Sequence, residues 1–149
     1  MTDKTWLIAQ IVSCRTAFDE RLRTIPAENL EQPIAAGGMT VKEVVYHIAW
    51  HEREMTGMLR ARALRGSPWW NLPTDERNTH IQAEAAPLPV NEVLAFAAAS
   101  IAELLAELQA LPGEALDKAS FFADMPPDWS PADLLAQNTY EHYNDHLND

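Results

Sequence analysis

The chain has 149 residues, of which 47% are hydrophobic and 22% charged, and a formal net charge of −11 at pH 7. This length and composition fit one globular domain over residues 1–149, able to bury a core of its own, with no polar or low-complexity tract that would argue for disorder. The acidic balance argues against nucleic acid as a partner, because binding a phosphate backbone draws its energy from clustered Lys and Arg releasing counterions.

The opening "MTDKTW" lacks the charged-then-apolar pattern of a secretory signal, and "VLAFAAASIA" is too short to cross a bilayer as a helix. A cytoplasmic protein with no membrane association is therefore expected. Cys14, the single cysteine, cannot form an intramolecular disulfide and agrees with a reducing compartment.

From about Thr2 to Thr24, Leu7, Ile11, Cys14, Phe18, Leu22 and Ile25 recur at three- and four-residue spacing and predict an amphipathic helix with one buried stripe. Pro26, Pro33 and the Gly37–Gly38 pair end that regularity. "TVKE" then predicts a new start, with Thr40 as N-cap and Glu43 as its capping-box partner. This second helix should run to about Arg65, where Gly66 can take the left-handed C-cap position and Pro68 prevents continuation. The stretch from Ser67 to Pro89 carries several prolines and no sustained period. It reads as a long crossover with one short helix around Asp75 to Glu84, and such a crossover can join two parallel helices.

A third helix, roughly Pro89 to Leu111, places Val93, Phe96, Ala97, Ile101, Leu104, Leu105 and Leu108 on one side, and Pro112–Gly113 closes it. A second irregular stretch ends at "WSPAD", where Ser130 caps a fourth helix and Pro131 occupies its first position; that helix should run almost to the end. No alternating Val/Ile/Thr segment appears. The expected fold is all-α, a four-helix bundle with at least one long connection.

Four histidines stand out on this frame. At about 100° per residue, Pro131, Leu135, Asn138, His142 and His146 share one side of the last helix, so the two histidines continue a stripe committed to the core. Residues four apart have β-carbons about 5 to 6 Å from each other, which lets two imidazoles share one ion. "YHIAWHERE" carries a second pair at the same spacing: His51 lies within the apolar face of Val44, Ile48, Met55 and Leu59, and His47 at its margin. Burying unpartnered imidazole is costly, and a transition metal would explain all four together. Imidazole ligands suit Zn, Ni, Fe or Cu better than Mg or Ca, which prefer oxygen.

"MTVKEVVYHIAWHE" with "NTYEHYNDH" resembles the DinB/YfiT-like superfamily of metal-dependent four-helix-bundle proteins. "VKEVVYHIAWHE", "PTDERNTHI" and "NTYEHY" also resemble the DUF1706 group, which includes the ClbS/DfsB-like proteins. The resemblance covers essentially the whole chain in element order. It implies an up-down-down-up bundle, with the crossover after Gly66 joining helices two and three, and a divalent metal held by His47, His142 and His146. The metal would be Zn or Ni foremost, with Fe, Mn or Cu also accepted. His51 matches the "WH" of the ClbS-like pattern, where it would be a pocket residue or a donor behind the ligands. Superfamily members include thiol-dependent S-transferases and maleylpyruvate isomerase relatives, and dimers are common, so a low-molecular-weight thiol and a homodimer are implied here.

Around that centre, Asn138 and Trp50 are candidate pocket residues, and Trp69 with Trp70 either lines the pocket mouth or covers the bundle end. Glu43, Glu141 and Asp145 either orient imidazoles as acceptors or are solvated helix charges. Cys14 reads as a core thiol and His80 as a surface residue. No phosphate loop, G-x-S-x-G elbow or H-E-x-x-H is present.

Three functions follow as expectations. In the first, a small-molecule metalloenzyme activates water or a thiol against an electrophilic substrate, as a hydrolase or S-transferase, with Arg53, Arg60, Arg62 or Arg65 supplying cations at the pocket mouth. In the second, a ClbS-like protein binds and shields a reactive small molecule without metal, in a pocket of Trp50, Trp69 and the histidines. In the third, a dimeric scaffold holds a structural ion.

Overall fold

A computed structural model describes residues 2–33 and 38–147. Helix α1 (Lys4–Arg23) starts where the Asp3 side chain accepts the backbone N–H groups of Thr5 and Trp6, and Arg21 and Arg23 in its last turn oppose the helix dipole. Its buried stripe is Leu7, Ile11, Arg15 and Phe18, while Cys14 and Leu22 are only half-buried at its edge. Of the Gly37–Gly38 pair, Gly37 lies outside the described residues.

Helix α2 (Val41–Ala61) begins with the expected capping box: Thr40 Oγ1 accepts from Glu43 N at 3.1 Å, and Glu43 Oε1 accepts from Thr40 N at 3.0 Å. Glu43 is thus a cap and does not reach an imidazole. The helix stops four residues earlier than Arg65, because Arg62 itself adopts the left-handed conformation (φ 50°, ψ 44°) and donates its N–H to Met58 O. The chain beyond is then clipped to a distant loop by Leu64 N to Ala123 O and Ala123 N to Arg62 O, both 2.8 Å. Gly66 is needed for a different reason than capping. A β-carbon there would sit 2.8 Å from Trp70 Cβ and collide with Glu54 Oε2.

The crossover contains α3 (Thr74–Ala85), and α4 (Val90–Ala110) follows. Lys42 Nζ donates to Ala86 O and Leu88 O just before α4, and Arg60 pairs with Glu107 near its end, so α2 and α4 run parallel. Lys4 Nζ donates to Gln109 O and Leu111 O, which sets α1 antiparallel to both. Helix α4 is long and apolar enough, as a whole, to cross a membrane, which the ten-residue reading of its apolar stretch did not anticipate. In the fold it is a bundle helix, with Val93, Ala97, Ser100, Leu104 and Leu108 buried.

The fourth helix is not continuous. Ser130 caps α5 (Pro131–Gln137), a break follows at Asn138 and Thr139, and α6 runs over Tyr140–Leu147. Polar side chains bond to the preceding turn at the break: Asn138 Nδ2 donates to Leu134 O at 2.8 Å beside the backbone bond from Asn138 N, and Thr139 Oγ1 takes Leu135 O at 2.6 Å, the carbonyl an uninterrupted helix would give to Thr139 N. Thr139 N consequently bonds to Ala136 O, three residues back instead of four. Among the described residues there is no β-strand, only the isolated bridges Pro33 to Thr40 and Ala63 to Ala123.

Candidate metal centre

Helix α2 brings His47 and His51 to the inside of the bundle, both buried, and α6 brings His142 and His146 against them. The centroid of the His47 ring lies 4.8 Å from that of His51, 4.9 Å from that of His142 and 5.3 Å from that of His146. His142 Nε2 and His146 Nε2 are 3.2 Å apart. Ligating atoms of His47, His142 and His146 all fall within 4.8 Å of one another, and His51 stands outside that group.

The donor set fits a divalent transition metal. The 3.2 Å between the two α6 nitrogens matches the edge of about 3.3 Å expected of a tetrahedron with Zn–N bonds of about 2.0–2.1 Å. Nitrogen donors alone favour Zn, Ni, Cu or Fe over the oxygen-seeking ions. His47 Nδ1 and His142 Nδ1 are buried without a hydrogen-bond partner, a condition that costs about 1–3 kcal/mol per group; the nitrogen His142 turns toward His146 is its other one, Nε2.

The electrostatics keep three of the rings neutral and their lone pairs available. Burial, chiefly, pushes His47 down to about 3, with His51, His146 and Arg77 adding repulsion. Burial likewise takes His142 to about 2. His51 is brought to about 4 by burial, against the opposing effect of its hydrogen bond with Asn138. That bond runs from His51 Nδ1 to Asn138 Oδ1 at 2.9 Å. Because the Asn138 amide nitrogen is already donating to Leu134 O, Oδ1 must accept here, so His51 carries its proton on Nδ1 and leaves Nε2 as an acceptor.

Directly behind the imidazoles lies a buried network that sequence reasoning missed. Glu52, the residue after His51, is fully buried and accepts from Arg15 Nε (3.0 Å), from Ser100 Oγ (2.7 Å) and from the Tyr143 hydroxyl. Arg15 also reaches Ala97 O at 3.0 Å and Asp19. Four elements, α1, α2, α4 and α6, meet at one carboxylate, and this fixes His51 and His142 through their sequence neighbours Glu52 and Tyr143. One signal was available: Arg15 falls four residues after Ile11, in the middle of an apolar stripe.

The cluster opens into a cleft of about 430 Å³, with His47, His51 and His142 on one wall and Trp70, Arg77, Asn78 and Gln137 among its other lining residues. Asn138 lines it as well. Trp50 does not: it is fully buried, edge-on to His51 at 4.9 Å and stacked with Trp70. Trp69 is also turned away, stacked on His80 at 3.9 Å with its indole N–H donated to Glu84. Glu141 and Asp145 are exposed. None of the four arginines expected at the pocket mouth lines the cleft. Arg53 lies over Phe96, Arg62 over Phe121, Arg60 pairs with Glu107, and Arg65 is exposed. The cation at the cleft is Arg77 of α3.

A family model described as the DinB superfamily matches residues 10–149, a span that takes in α2 and α6 with the four clustered histidines. No curated protein and no solved structure matches the chain.

Proposed function

The chain belongs to the DinB superfamily, and on that premise we propose that His47, His142 and His146 hold a divalent transition-metal ion, Zn or Ni foremost, in a small-molecule metalloenzyme of hydrolase or thiol S-transferase type. In this reading α1, α2, α4 and the broken α5–α6 unit are the four helices of an up-down-down-up bundle. The observation that carries it is the convergence of three imidazoles from two helices, within 4.8 Å, two of which, His47 and His142, line an open cleft.

When bound, the ion supplies Lewis acidity that lowers the pKa of a water or thiol and makes it a nucleophile near neutral pH. The protein's own groups do the rest. His47 and His142 stay unprotonated at neutral pH because they are buried, so protons do not compete for their lone pairs. His51 Nε2 is a hydrogen-bond acceptor whose tautomer Asn138 fixes. With its ring pushed down to about 4, it orients a nucleophile instead of carrying that nucleophile's proton. Glu52 holds α2 and α6 in register, which keeps the rings at chelating separation.

The test is turnover of activated esters and of thiol-accepting electrophiles, with and without a chelator, in wild type and in His142→Ala. Loss of activity on chelation, restored by Zn or Ni and absent in the variant, is the expected result. Turnover that survives complete metal removal overturns the reading.

One observation favours a second reading. The Nε2 atoms of His142 and His146 lie 3.2 Å apart and can share a proton, so the cluster closes without an ion. A ClbS/DfsB-like protein could use the cleft to bind and shield a reactive small molecule in that state. Protection of such a molecule by metal-free protein, undiminished by chelator, distinguishes it.

A further inference from the structure

The chain has 22 acidic side chains and 11 Lys and Arg, yet among the described residues no carboxylate lines the cleft, and Arg77 is the one permanently charged group that does. Its neighbours there, Asn78, Gln137 and Thr74, are neutral groups able to donate hydrogen bonds. Asp75 and Glu76, adjacent in α3, are exposed and not part of the lining. In a protein this acidic, a guanidinium among neutral donors makes the described lining of the cleft favourable to negative charge.

Arg77 is poorly satisfied by the protein itself. Its Nε is buried without a partner, and its NH1 reaches Trp70 O only at 3.5 Å. The guanidinium lies over the Trp70 ring, 5.7 Å from the centroid, within cation–π range. No ion pair closes on it. Glu54 is near enough to be felt; its Oε2 accepts from Ser67 N at 2.9 Å, and its Oε1 makes no hydrogen bond to Arg77. At the same time Arg77 is close enough to the imidazoles to act on His47, His51 and His142. A half-buried guanidinium with an unpartnered Nε, facing the same cleft as the candidate metal centre, has donor capacity that an oxyanion in the cleft can use.

We infer that Arg77, with Asn78 and Gln137, is an oxyanion subsite that seats a carboxylate or phosphate of the ligand while the ligand's other end lies at the histidine cluster. This deepens the proposed function by naming a substrate class, small molecules that carry an oxyanion. It rests on that reading for the reacting end only, since the subsite itself needs no metal.

Metal-free protein is therefore the material for the test. Titration with succinate, with inorganic phosphate and with neutral succinamide would be followed through the indole N–H resonance of Trp70. Saturable binding of succinate or phosphate is expected, with the tighter of the two naming the source of the oxyanion, and none of succinamide. Arg77→Met should weaken binding about 10- to 100-fold, the loss of charge-assisted hydrogen bonds, and Arg77→Lys should recover part of it. Gln137→Leu, at an exposed position, should cost a few-fold, about what one neutral hydrogen bond contributes. Binding that is equal in wild type and Arg77→Met, no stronger for succinate than for succinamide, or absent for both anions overturns the inference. Metal content of the same preparations before stripping judges the histidine centre separately, and Arg77→Met should leave it unchanged.

Discussion

Two buried polar regions sit one residue apart along both α2 and α6, and they are finished to different degrees. Around Glu52 the polar side chains are partnered: Arg15, Ser100 and Tyr143 all converge on one carboxylate, and Arg15 also donates to Ala97 O and Asp19. Around His47 the inventory stays open, with unpartnered ring nitrogens on His47 and His142. Folding tolerates such nitrogens only when the rest of the structure holds them in place. The satisfied network thus reads as scaffold, and the proposed site is the cluster whose nitrogens the protein leaves unpartnered.

The largest effect should come from breaking the scaffold side. Glu52→Ala leaves Arg15 as an uncompensated buried charge, and denaturant unfolding should show a loss of about 3–5 kcal/mol. A loss below that of an ordinary surface substitution would mean the network is not what holds the helices.

Metal removal probes the other region and should be milder. At free ion about 100-fold above its dissociation constant the bound metal adds about 2.7 kcal/mol, so chelation should lower Tm by about 5–10 °C and leave the far-UV circular dichroism helical. Collapse of the helical signal on chelation would instead support a structural ion.

The pH dependence sharpens the same contrast. His47, His51 and His142 have folded pKa values pushed down to about 3, 4 and 2, against about 6.5 in an unfolded chain. The unfolded state therefore binds more protons below that value. Stability of the metal-free protein should be full above about pH 6.5 and fall as the pH drops toward the folded values. Urea unfolding across that range would check it, and a replacement of His142 should flatten the slope.

The smallest effect on stability is expected at the helix break. Thr139→Val removes the bond to Leu135 O and should cost about 0.5–1.5 kcal/mol. It frees that carbonyl to restore regular helix, which would turn His142 and His146 relative to His47. Metal affinity, read by competition with a chromophoric chelator, should then drop more than stability does.

How much of this was legible beforehand follows from range. The helices were readable because Leu7, Ile11 and Phe18, or Val93, Ala97 and Leu104, repeat with the period of one turn, and the Thr40 and Ser130 caps are local hydrogen bonds. His142 and His146 were readable as a pair because both lie on one short helix. The break at Asn138 and Thr139 was not, since the same residues also sit in unbroken helices with their side chains turned outward. Neither was Glu52, whose partners lie 37, 48 and 91 residues away. Arg77 escaped notice because the crossover has no period, and its path alone decides which of its residues reaches the cleft.

The most direct test of the central claim is elemental analysis of tag-free protein beside a His142→Ala, His146→Ala double variant. The expected result is near-stoichiometric transition metal in the wild type and none in the folded variant. Equal and negligible metal in both, with no uptake of added Zn or Ni, would contradict it and leave the histidines as walls of a metal-free cleft.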